Sequence, residues 1–255
     1  MYLIRGQHNL DLFKSRFKDI KLSGTIGNFD GLHLGHQAIL EKIKNNSQEF
    51  NSKTIVFFTE PHASEYFASI NNLHNKIPPR ICSWREKFKL LEKSGIDFAF
   101  FLKFNNSLRT MSPENFISEI LDSINLKSFT VGDDFRFGLD RKGDTDQLRE
   151  WGKKRGILVE NTETILYEDE RVSSSRIRKA LIDNNFKLAE KLLGRPYTFS
   201  GKVVHGQHLG RTIDIPTANI WLPKQKLPIQ GVYAVQCNLG EKTYYGIANM
   251  GVRPN

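Results

Sequence analysis

Between residues 21 and about 183, short apolar runs alternate with amphipathic stretches, and this alternation narrows the fold more than any other feature. A parallel strand must pass through a crossover before its neighbour can pair, so the pattern predicts an α/β domain with a parallel sheet covered by helices. Strands are expected over 22–26, 54–58, 98–101, 129–131 and 157–160. Ser83 and Glu86 form a capping box ahead of Trp84, Phe88 and Leu91, while Ser112, Pro113 and Glu114 start a second helix carrying Phe116, Ile117, Ile120, Leu121 and Ile124. Past Asp183 a last helical stretch, 186–193, runs into Gly194-Arg195-Pro196, where Gly and Pro together stop a helix. From Thr198 onward the chain reads as short strands at 199–204, 232–238 and 243–248 separated by glycine, an all-β pattern. The expected division is therefore 1–185, a linker over 186–197, and a smaller β domain over 198–255.

Composition excludes several classes. At 255 residues with 39% hydrophobic content, the chain can bury a core without metal or disulfide staples. Cys82 and Cys237 form no CxxC pair, which argues against a disulfide framework or zinc site and for a reducing, cytoplasmic setting. The longest apolar run, 98–102, is far short of the ~20 residues that span a bilayer, and the N-terminus lacks a signal-like apolar segment. The net charge of +9 is scattered, so it suits nucleotides and phosphorylated small molecules as well as nucleic acid. Small-molecule partners are expected, with neither nucleic acid nor a membrane.

The densest constellation runs from Thr25 to His36 and contains Gly27, Asn28, Phe29, Asp30, Gly31, His33, Gly35 and His36. It falls where the first expected strand turns into a helix. Glycines there let backbone approach a ligand, the helix N-terminus favours an anion, and two imidazoles three apart reach one phosphoryl group. His-x-Gly-His so placed points to nucleotidyl transfer at an α-phosphate, with the histidines donating to oxygens whose charge grows in the transition state. The plainer alternative is a glycine-rich turn with two surface histidines. A second cluster, Arg171, Ser173, Ser174, Ser175, Arg176 and Arg178, opens a helix and suits a polyphosphate, or else is an N-cap serine before a solvated basic face. A third, Gly132 to Gly138, follows the fourth strand at the edge where open α/β sheets bind ligands. There Asp134 and Arg136 are candidate polar contacts, and Phe135 and Phe137 either flank a planar ring or belong to the core. The segment Phe58 to His62, at the corresponding edge after the second strand, reads as a turn.

In this order and at these separations, the segments resemble the bacterial bifunctional riboflavin kinase/FMN adenylyltransferases, also called FAD synthetases, over nearly the whole chain. The resemblance implies a Rossmann-like nucleotidyltransferase domain that joins FMN to the AMP part of ATP, followed by a small antiparallel β-barrel that phosphorylates riboflavin. Carried over by residue, it makes His33, His36, Arg171, Ser174 and Ser175 catalytic, with Gly27, Asn28, Phe29, Asp30, Gly31, Gly35 and Arg178 around ATP and its phosphates. Asp134, Phe135 and Arg136 would face the flavin. In the β module, Gly201, Gly206, Gly210, Thr217 and Asn219 would form the nucleotide site, with Thr217 and Asn219 on Mg²⁺. Departures are mild: Ala63 stands where a second proline is usual, Ser175 where threonine is usual, and Asp214 where glycine is usual. The sequence ends at Arg253-Pro254-Asn255, within what resembles the family's Gly-x-Arg-Pro-Thr segment, so the barrel is expected to be incomplete and riboflavin kinase activity absent. The rival readings are an adenylyltransferase for another acceptor and a non-catalytic flavin, nucleotide or nucleic-acid binder on the same fold.

Overall fold

The computed structural model describes residues 1–73, 77–204, 217–222 and 226–251. In chain order its elements are β1 (Tyr2–Arg5), α1 (Leu10–Arg16), β2 (Leu22–Ile26), α2 (Leu34–Glu49), β3 (Lys53–Glu60), α3 (Ala63–Ile70) and α4 (Trp84–Lys93). There follow β4 (Phe98–Lys103), α5 (Asn106–Thr110), α6 (Pro113–Phe116), β5 (Leu126–Gly132), α7 (Thr145–Arg155), β6 (Leu158–Thr162), β7 (Leu166–Tyr167) and β8 (Glu170–Arg171). The chain continues through α8 (Ser174–Ile182), α9 (Phe186–Leu193), β9 (Lys202–Val204), β10 (Asn219–Trp221), β11 (Gly231–Leu239) and β12 (Lys242–Met250).

Six strands form one parallel sheet in the order β1-β4-β3-β2-β5-β6. Strand residues alternate between its faces. Phe57, Phe100 and Phe129 pack on one side with Phe13, Leu148 and Trp151, while Val56, Phe58, Ala99 and Phe101 pack on the other with Leu40, Ile43 and Leu91. The central strands are therefore dry on both faces, which explains why β3 and β4 read as nearly continuous apolar runs. From β2 the chain moves outward through β3 and β4, then returns to lay β5 on the other side of β2. That reversal leaves a crevice at the carboxyl ends of β2 and β5, the place where such sheets bind ligands.

The capping box of α4 is formed: Ser83 N–H donates to Glu86 Oε2 at 2.7 Å, and Glu86 N–H donates to Ser83 Oγ at 3.2 Å. Ser112 caps α6, which passes into a π-helical turn over Ile117–Leu121 that buries Ile120 and Leu121. Residues 186–193, expected as a last helix and placed within the linker, form α9 and bury Ala189, Leu192 and Leu193 against α8, with Ile177, Leu181 and Ile229 in the same cluster. Beyond it, β9 pairs antiparallel with β10 and β11 with β12. Among the described residues no helix is long and apolar enough to cross a membrane.

Candidate active site

β2 ends at Ile26, and the chain turns sharply before α2 begins. Phe29 and Leu32 take positive φ, at 49° and 43°, and both are buried. Such backbone persists only where surrounding contacts hold it. Asp30, 1% exposed, is the anchor. Its carboxylate accepts from Ile81 N at 3.2 Å, Cys82 N at 3.1 Å and Arg178 Nη2 at 2.6 Å. Burial opposes its charge, but the Arg178 guanidinium, with His62, Lys87 and the Cys82 amide, holds the carboxyl below its ordinary value. Gly31 sits at φ 79°, and a Cβ there would lie 2.7 Å from Ile81 Cγ2, so the turn requires glycine at this point. Arg195, in the expected linker, donates to the Gly31 carbonyl at 2.8 Å, so this stretch braces the turn.

His33 caps α2. Its Nδ1 accepts from His36 N–H at 3.4 Å, which places the ring proton of the neutral form on Nε2. The two imidazoles stack with centroids 3.7 Å apart and planes 20° apart. A Cβ on Gly35 would come within 3.2 Å of the His33 ring and 3.5 Å of the Val172 carbonyl, so glycine keeps this corner open. Burial pushes His33 down to about 4, with Asp30 opposing and nearby arginines reinforcing the shift. Burial also holds His36 well below the usual histidine value, helped by His33, Lys87 and His62, and its Nδ1 is buried with no partner among the described residues. Both rings are thus neutral hydrogen-bond donors at neutral pH.

The facing wall is the N-terminus of α8. Ser173 caps it by accepting from Arg176 N–H at 3.2 Å, Ser174 Oγ donates to the Asp30 carbonyl at 3.0 Å, and Ser175 is exposed. Arg171 pairs with Asp133 at 3.1 Å and Asp134 at 3.0 Å, joining this wall to the loop after β5. In that loop Arg136 pairs with Asp144 at 3.1 Å, and Phe135 stacks on Phe137 with centroids 5.7 Å apart. Phe137 is buried in the core and Phe135 is partly buried against it. One cleft of about 1190 Å³ is lined by Gly27 to Asp30, both imidazoles, Asp134 to Arg136, Arg171 and Ser173 to Ser175. The cleft is somewhat larger than the ~300–1,000 Å³ common for a small-molecule site.

Some expected contacts are already engaged. Arg178 lines the cleft, but it donates to Asp30 and, through Nε at 2.8 Å, to the Pro79 carbonyl, so it ties α8 to the turn. Asp30 faces inward to the protein, holding the segment at Ile81 and Cys82. In the β module Thr217 and Asn219 are exposed, Asn219 pairs with Val204 across β9 and β10, and Gly201 precedes β9. Gly206 and Gly210 lie outside the described residues. Of two further buried groups, the sequence read His62 as part of a turn with no role of its own and did not single out Lys87. His62 lines the cleft at 8% exposure, and Lys87, 1% exposed, donates to the Asn28 carbonyl at 2.5 Å. A histidine after a Pro turn and a lysine on a helix carry no signal of burial by themselves.

Comparison with known proteins supplies a context for this geometry. A family model described as FAD synthetase matches residues 17–176, and one described as riboflavin kinase matches 193–255. A protein of Escherichia coli (strain K12) named bifunctional riboflavin kinase/FMN adenylyltransferase is 42% identical, covering 100% of this chain and 79% of its own length. One of the same name from Pseudomonas fluorescens is 40% identical over 100% of this chain and 78% of its own. A crystal structure named as a macrolide-efflux protein from Streptococcus pneumoniae superposes with TM-score 0.78 at 28% identity, covering 98% of this chain and 79% of that one.

Proposed function

The chain belongs to the bifunctional riboflavin kinase/FMN adenylyltransferase family, and from that premise we propose that the cleft between β2 and β5 transfers AMP from ATP to FMN. An oxygen of the FMN phosphate attacks the α-phosphorus, the bond to the bridging oxygen breaks, and pyrophosphate leaves with the electron pair as FAD forms. The observation that carries this reading is the stacked pair of neutral imidazoles facing the N-terminus of α8 across one cleft. His33 and His36 donate N–H groups to α-phosphate oxygens that gain charge in the transition state, without a covalent enzyme intermediate. Ser175 and the amides at the start of α8 hold the departing phosphates, joined by Ser174 once its hydroxyl leaves the Asp30 carbonyl and by Arg171 once it leaves Asp133 and Asp134. Gly27, Asn28, Phe29, Gly31 and Gly35 shape the wall against which the nucleotide lies, and Asp30 and Arg178 fix that wall from behind. Asp134, Phe135 and Arg136 form the flavin-facing loop.

Among the described residues no group of three or more His, Cys, Asp or Glu is placed to hold a metal ion. A Mg²⁺ serving this reaction would be carried in on the ATP phosphates, because this ion is held largely by phosphate oxygens and water. When bound, it neutralises phosphate charge. In the β module Thr217 and Asn219 offer the hard oxygen donors Mg²⁺ takes, and we assign them to it there.

The test is purified protein with Mg-ATP and either FMN or riboflavin, with flavins resolved by chromatography. FAD from FMN supports the assignment; its absence overturns it. Riboflavin reads the second module: FMN or FAD formed from it would assign riboflavin phosphorylation to that module, and neither appearing would count against that role.

A further inference from the structure

Lys87 is the one lysine among the buried polar and charged groups of the described residues, and the transfer chemistry above gives it no part. It projects from α4 and donates from Nζ to the Asn28 carbonyl at 2.5 Å, with Nζ 4.8 Å from the centroid of the Phe58 ring. A buried cation requires compensation, and several groups supply it. Burial pushes its ammonium below the ordinary lysine value, while Asp30 and Glu60 favour the charge and Arg80 opposes it; the Cys82 thiol, pushed up to about 12, stays neutral at ordinary pH. The charge acts in turn on His36, which also faces His33 and His62. An apolar residue would fill this volume at lower desolvation cost.

We propose that Lys87 is a positioning residue for AMP transfer, fixing the Asn28 carbonyl in the turn that leads from β2 to the imidazole pair and holding positive charge at that carbonyl. It rests on the adenylyltransferase reading above. At 1% exposure Lys87 does not touch substrate. Its ammonium acts through the dry protein, where charge is weakly screened. It disfavours a proton on His36, keeping that ring a neutral donor, and adds positive potential where transfer accumulates negative charge.

Lys87→Met removes both the charge and the hydrogen bond, whereas Lys87→Gln retains a donor for the Asn28 carbonyl and removes only the charge. Each is compared with wild type by thermal melting, by steady-state FAD formation, and by NMR titration of the His36 ring. The expected result is a folded protein whose kcat falls about 10- to 100-fold, with KM for ATP and FMN changed by no more than about threefold. The His36 titration should move upward in both variants, which a purely structural lysine would not cause. Unchanged kcat and an unmoved His36 titration in a folded variant would overturn the proposal. So would loss of folding in both, which would make Lys87 a structural residue. Wild-type protein forming no FAD from FMN and Mg-ATP would instead refute the adenylyltransferase reading itself.

Discussion

Replacing Asp30 by Ala tests the anchor of the site. The carboxylate is 1% exposed and accepts from two backbone amides and from Arg178, which is itself only 16% exposed at the side chain. Removal leaves a poorly solvated guanidinium and two N–H groups without their acceptor. Breaking a buried pair by deleting one partner costs about 3–5 kcal/mol. For a chain of this size each kcal/mol lowers Tm by roughly 2–4 °C, so a fall of about 6–20 °C is expected. The reasoning also sets a pH window. In the fold the Asp30 carboxyl lies below its ordinary value, so the unfolded chain takes the proton first. The stabilisation is complete above about pH 4 and is lost as pH falls through the lower folded value. Circular dichroism melts at neutral pH, with Arg178→Met added in a double variant, separate the pair from mere packing. The double variant should recover part of the loss, since the orphaned cation is gone. A D30A penalty below about 1 kcal/mol, or a double variant less stable than D30A, would refute the anchor argument.

Burial holds the folded-state pKa of His33 near 4, below its unfolded value near 6.5. Stability is therefore full above about pH 6.5 and falls by about 3 kcal/mol toward pH 4; urea midpoints across that range should show His33→Gln with a shallower loss, and an unchanged slope would contradict the shift. Gly31→Ala places a Cβ against Ile81 at φ 79° and should cost about 1–3 kcal/mol in denaturant melts, whereas no loss would show that the turn relaxes freely. Because Arg171 is held by exposed Asp133 and Asp134, Asp134→Asn should tighten ATP roughly two- to fivefold by calorimetry and Arg171→Ala should weaken it; equal affinities would remove Arg171 from the phosphate site.

The parts of this structure that burial on both faces dictates were readable from the sequence. The run 22–26 is β2 throughout, and the other four apolar runs lie wholly or largely inside β3, β4, β5 and β6. β1 is an edge strand of four residues in which only Ile4 is buried, and its short apolar run at the chain start was not read as a strand. The placement of candidate residues was legible where spacing decides it, as with His33 and His36, whose i, i+3 separation at a helix start stacks the rings. It was illegible where long-range partners decide. Arg178 reads as a phosphate ligand until Asp30 and Pro79 are brought to it, and Lys87 occupies a helix position that would normally be solvated. Burial of α9 against α8 and Ile229 likewise depends on a residue far along the chain, so the helix was readable over 186–193 but its packing was not, and it was assigned to a linker.

The most direct test of the account is FAD formation from FMN and Mg-ATP by His36→Ala beside wild type, with ATP binding measured on the same samples. The account predicts a loss of about 10²- to 10³-fold in kcat with ATP affinity nearly unchanged, because the ring acts on charge that develops only in transfer. Turnover that survives the substitution would contradict it.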